Sequence, residues 1–94
     1  MVGKDFKINK KTFRKRKLST LQHKLRVLMK CYTVVNFDLD EETQSFTFKK
    51  TYRINGIKMD DPKGYSGRFE VEDLDDDNIK LRIIVGETKK DVNE

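Results

Sequence analysis

The sequence predicts an α+β fold: one N-terminal amphipathic helix packed on a four-stranded antiparallel β-meander, preceded by a basic arm. Three observations predict it. Apolar residues recur at helical spacing from Leu18 to Tyr32, apolar and polar residues alternate after Thr33, and the first 17 residues are basic with no sustained period.

A chain of 94 residues fits one small domain with a modest core. The expected organisation is a flexible basic arm over residues 1–17, the α+β domain over 18–88 and a polar C-terminal tail over 89–94. Cys31 is the single cysteine, which excludes an intramolecular disulfide framework. No apolar run approaches a signal h-region or a membrane span, so the expected setting is reducing and cytoplasmic, or nuclear in a eukaryotic host, with no membrane contact. The nine aromatic residues are more than a fully disordered chain of this charge would carry. The chain contains no alanine while Lys, Asp, Asn, Ile and Phe are plentiful, which suggests an AT-rich coding sequence of viral or mobile-element origin.

Residues 1–17 hold eight Lys and Arg together with Phe6, Ile8 and Phe13. They read as an arm, with a short strand over residues 5–9 if Phe6 and Ile8 pack on the core. Ser19 and Gln22 have the spacing of a capping box, which predicts a helix from near Thr20 to about Cys31. At 100° per residue, Leu18, Leu21, Leu25, Leu28, Met29 and Tyr32 share one stripe, and His23, Arg26 and Lys30 lie opposite. Val27 and Cys31, one turn apart, lie between the two faces.

From Thr33 the period changes to two. Val35, Phe37 and Leu39 form a first strand, and Phe46, Phe48, Tyr52 and Ile54 a second, joined by the polar residues 40–45. Asn55-Gly56 marks a turn, and the stretch through Pro62 and Gly67 reads as an extended connection. A third strand over residues 68–72 points Phe69 and Val71 inward. A fourth carries Ile79, Leu81, Ile83 and Val85 inward, with Ile84 out of pattern. Short connections make the strands antiparallel neighbours. The outer face then carries Thr47, Lys49, Thr51, Arg53, Arg68, Glu70, Glu72, Lys80 and Arg82.

Charge is what bears on function. Residues 1–32 carry eleven Lys and Arg against Asp5 alone, and residues 33–94 carry ten against fifteen acids, so the net +5 divides into +10 and −5. Such asymmetry points to a polyanion partner. The expected phosphate contacts are Lys10, Lys11, Arg14, Lys15, Arg16 and Lys17 from the arm and Arg26 and Lys30 from the helix, with Phe13 stacking on an exposed base. Lys49, Arg53, Lys80 and Arg82 make a second basic surface on the sheet.

Other chemistry is thinly supplied. Asp73, Asp75 and Asp77 have the spacing of a calcium loop, but its twelfth position is Ile84, where a bidentate Glu is required, so an acidic hairpin turn is expected and no metal. Glu87-Thr88-Lys89 with Asp77 resembles a metal-dependent nuclease spacing, in a domain too small for the usual nuclease core. His23 is the one histidine and lies on the wet face, Cys31 has no other histidine to activate it, and no glycine-rich loop leads a strand into a helix. The expectation is a non-enzymatic nucleic-acid-binding protein, DNA or RNA, without cofactors, monomeric or homodimeric. The alternative is a phage or mobile-element regulator that docks on a host nucleic-acid-handling complex, with Ile84, Val27 and Tyr65 as exposed apolar contacts.

Overall fold

In the computed structural model, residues 2–87 are described. They form β1 (Val2–Asn9), α1 (Lys10–Lys15), α2 (Lys17–Met29), β2 (Thr33–Asp40), β3 (Ser45–Ile54), β4 (Ile57–Asp60), β5 (Tyr65–Asp73) and β6 (Asn78–Glu87). All six strands belong to one antiparallel sheet of order β1-β6-β5-β3-β2, with β4 paired to β3. The expected polar tail lies outside the described residues, as do Thr88 and Lys89 of the nuclease-like spacing.

The expectation of one helix on a four-stranded meander is therefore corrected: there are two more strands and one more helix. The stretch read as an arm is built into the fold. All eight residues of β1 pair with β6, from Val2↔Val85 to Asn9↔Asn78. Only Phe6 and Ile8 face inward from β1, too few to announce a strand inside a basic run. The edge of β6, far along the chain from Asn78 to Val85, supplies the missing ladder partners.

The second added strand follows Asn55-Gly56, whose positive φ values of 52° and 79° suit a tight two-residue hairpin turn. The chain folds straight back, and β4 pairs Thr51↔Asp60 through Ile54↔Ile57. β3 thus has two neighbours in succession on one edge. Its first half pairs with β5, Ser45↔Arg68 to Phe48↔Tyr65, its second half pairs with β4, and β2 takes the other edge.

The helices also begin elsewhere than expected. Asn9 ends β1 and caps α1, its Oδ1 accepting from the N–H groups of Lys11 (3.0 Å) and Thr12 (3.2 Å). The chain bends at Arg16, where φ is −130° and ψ 46°, and α2 starts at Lys17. Ser19 lies inside α2 and its hydroxyl donates to the Arg16 carbonyl, so the Ser19–Gln22 capping box does not form. Lys30 closes α2 in the left-handed conformation at φ 53°, with the Cys31 N–H donating to the Arg26 carbonyl.

Leu21 and Leu25 of α2 have no exposed surface and pack among Phe46, Phe48, Phe69, Ile79, Leu81, Ile83 and Val85. Burying each such side chain stabilises the fold by about 1.5–3 kcal/mol. A chain of rings, Phe37 to Phe46 to Phe48 to Tyr65 at centroid spacings of 5.6, 5.9 and 5.5 Å, lines the sheet beneath β2, β3 and β5. Leu18 and Tyr32, placed in the core stripe by helical spacing, are exposed. In β2 the register slips between Val35 and Asp38, with Asn36 at φ 54°, so Val34 packs on the core where strict alternation put Val35. Tyr65 is buried, which removes it from the expected exposed contacts, while Val27 is exposed.

Candidate nucleic-acid interface

Phe13 anchors this surface by turning inward. Its ring meets Phe69 edge-on at 6.3 Å and is buried, so it does not offer the base-stacking face expected of it. With Phe13 committed to the core, the rest of α1 turns Lys11, Arg14 and Lys15 outward, and Arg16 at the bend is exposed beside them. None of these four meets an acid among the described residues.

The flanking cations are paired at the rim. Lys10 lies 3.5 Å from Asp73, and its backbone N–H donates to the Asp77 carbonyl. Lys17 reaches Glu41 at 3.2 Å and sits 5.6 Å above the Phe13 ring. Exposed pairs of this kind contribute about 0–1 kcal/mol, so a phosphate can displace either carboxylate at small cost. Arg26 and Lys30 are exposed toward the C-terminal end of α2.

The second basic surface read from the sequence is largely engaged within the fold. Lys80 is paired with Glu72 at 3.0 Å, and Arg82 holds both oxygens of Asp5. That hydrogen bonding keeps the Asp5 carboxyl below its usual range, against a weaker opposing effect of burial. Arg53 lies 4.5 Å over the Tyr32 ring and donates to its hydroxyl at 2.8 Å. Of the four, Lys49 alone is exposed without a partner among the described residues.

The structure adds a feature that sequence reasoning missed. A groove of about 510 Å³ between β1 and the helices is lined by Lys7, Asn9, Thr12, Arg16, Ser19, Thr20, His23 and Lys24. A second depression, of about 350 Å³, adjoins it along α2, lined by Ser19, Gln22, His23, Arg26, Tyr32 and Thr33. Ser19 and His23, one helical turn apart, belong to both. No carboxylate lines either one. The polar stripe Arg16, Ser19, His23, Arg26 was present in the helical spacing of the sequence; Lys7 was not, because it arrives through the pairing of β1 with β6.

The opposite character appears elsewhere. A groove of about 970 Å³ is lined by Asp38, Asp40, Glu41 and Glu42, with Arg68 as the one cation in its lining. Asp75, in the turn before β6, accepts from the N–H groups of Asp77 (2.9 Å) and Asn78 (2.8 Å), bonds that pull its carboxyl below the usual range. Those bonds describe a closed Asx turn. Among the described residues no cluster of three or more His, Cys, Asp or Glu is arranged to hold a metal ion. The Cys31 thiol donates to the Thr33 carbonyl at 3.5 Å, and burial raises its pKa.

No described helix is long and apolar enough to cross a membrane. No protein family matches the chain, and neither a curated protein nor a solved structure is significantly similar to it.

Proposed function

We propose that the chain is a small, non-enzymatic nucleic-acid-binding protein whose α1–α2 face contacts the phosphate backbone. The observation that supports this reading best is the acid-free track along α2, whose lining holds Lys7, Arg16, Lys24 and Arg26, with Lys11, Arg14 and Lys15 exposed on α1. Its cations spread over two helices and a strand edge, so they do not converge on one phosphate. A spread of that kind matches a polymer with a charge about every 1.7 Å of duplex axis. Thr12, Thr20 and Asn9 add neutral donors, which position a backbone without reading its sequence.

The basic residues act from fixed positions. Asn9 sets the start of α1, Phe13 its rotation, and β1 the place of Lys7, so little ordering entropy opposes binding. Because the contacts are to phosphate, affinity falls steeply with salt and depends weakly on base sequence.

The test is a fluorescence anisotropy titration against duplex DNA, single-stranded DNA and RNA, at low and at physiological salt. It compares the full chain with a Lys7→Ala, Arg16→Ala, Lys24→Ala triple variant. For duplex DNA the log-affinity slope against log salt should shrink by about 0.9 for each phosphate that the variant no longer neutralises. Unchanged binding by the triple variant, or no binding of any polymer by the full chain, would sink the reading.

A further inference from the structure

We infer that the open edge of β4 is a self-association surface at which two copies of this chain pair antiparallel. The inference goes beyond the nucleic-acid reading and does not depend on it. The β3–β4 hairpin gathers three strongly exposed apolar residues: Ile57 is 66 % exposed, Ile54 53 % and Met59 50 %. The register Tyr52↔Met59 and Ile54↔Ile57 sets all four side chains on one face of the hairpin, since paired residues share a face. A contiguous exposed apolar face of this kind marks an interaction site.

The edge itself is ready to pair. The Asp61 N–H donates to the Lys50 carbonyl, and in an antiparallel ladder the direction of backbone groups alternates along the strand. Met59 and Ile57 therefore turn their N–H and C=O groups toward β3, and Lys58 and Asp60 turn theirs outward. No bulge interrupts β4, and no other strand takes its second edge among the described residues. Four residues whose second edge meets no other described strand form a template for another strand.

Charge selects a second copy of the chain as the occupant. With Met59 opposite Met59 across a two-fold axis, Lys58 of each copy faces Asp60 of the other, and these outward-turned residues exchange the ladder bonds. Both charge pairs are attractive, and the apolar row runs unbroken from Tyr52 and Met59 into the same residues of the second copy. Outward-turned residues meet again only when one strand slides by two, and in one direction that sets Lys58 against Lys58. In the other direction Asp60 meets Asp60, and Lys58 meets Pro62, which has no N–H to donate. One register alone satisfies charge, backbone and apolar face together, and it is isologous as a closed dimer requires. With so few residues a side, the pairing is reversible, with Kd on the order of micromolar.

The experiment is sedimentation velocity on the full chain across a micromolar concentration series, with circular dichroism to establish that each variant is folded. The native chain should pass from monomer to dimer. Lys58→Glu and Asp60→Lys should each weaken the dimer at least about tenfold by setting like charges opposite one another, and the double variant should recover it. Met59→Asp should abolish it. A chain monomeric throughout, a dimer indifferent to these substitutions, or a double swap that fails to restore association would overturn the proposal.

Discussion

Arg82 donates from Nε and Nη2 to both carboxylate oxygens of Asp5, at 2.9 and 3.3 Å, and so fastens the first strand to the last. The two residues are directly opposite in the β1–β6 register. An edge strand has one neighbour only, so its attachment depends on such cross-strand pairs more than that of a central strand does. Asp5→Asn should speed hydrogen exchange at the β1 amides while leaving α2 protected, as read by NMR. The folded carboxyl titrates below the usual value of 3.8. Its stabilising contribution is therefore present above that value and is lost as pH falls through the depressed one. The native chain should loosen β1 in that acid window, and the Asn variant should show no matching step. Equal β1 protection in both proteins at neutral pH would refute the pairing.

Asn9 and Ser19 make opposite claims on the start of the helical segment. Sequence spacing favours Ser19, but the geometry gives the capping bonds to Asn9, whose Oδ1 accepts from two orphan N–H groups. Asn9→Ala should cost about 1 kcal/mol, the usual loss for a cap. Ser19→Ala, which removes a long 3.4 Å bond within a helix, should fall within about 0.5 kcal/mol. Chemical denaturation of the two variants gives the ranking directly, and a larger loss at Ser19 would restore the capping box.

What could be read in advance was what local periodicity carries. The inward residues Phe46, Phe48, Phe69, Ile79, Leu81, Ile83 and Val85 were named by alternation, and they are buried. Leu21 and Leu25 were named by helical spacing. What escaped was long-range or short. β1 depends on β6, and a run with two inward apolar residues cannot announce a partner so distant in sequence. β4 has four residues, below the length at which alternation is distinct from a connection. Asn36 inserts a residue that period-two counting cannot see, and so moved Val34 inward. The candidate site was half legible: the concentration of charge was plain, but the acid-free track required knowing that α1 and β1 are folded elements.

Phe13 separates those two views by experiment. As a base-stacking residue of an arm it would carry binding and no stability. Packed against Phe69 it carries stability and makes no contact with a ligand. Phe13→Ala should cost about 3–5 kcal/mol, which threatens a domain of this size. Phe13→Leu keeps most of the volume and should remain folded at a cost of roughly 1 kcal/mol. The Leu variant should bind nucleic acid as the native chain does. A folded Phe13→Leu protein with markedly reduced affinity would return the ring to the interface.

Gly67 tests the packing beneath the sheet. A Cβ there would press on the Ile84 carbonyl oxygen and stand 3.0 Å from two carbons of the Phe46 ring. The close approach itself excludes a side chain, since φ at this glycine is not positive. The ring has no room to withdraw, because Phe37 and Phe48 bracket it at 5.6 and 5.9 Å. Gly67→Ala should therefore destabilise by about 3 kcal/mol or more, the upper end of overpacking, because the Ile84 carbonyl belongs to the backbone of the paired strand. Gly86 is the internal control, for a Cβ there meets nothing within 4 Å. Gly86→Ala should be neutral, or stabilising by about 0.4–1 kcal/mol through the unfolded chain. Urea unfolding of both variants decides the matter. Combining Gly67→Ala with Phe46→Leu should recover little of the Gly67→Ala cost, because the smaller side chain frees space on the ring side only, while the Ile84 carbonyl of the paired strand still stands where the methyl must go.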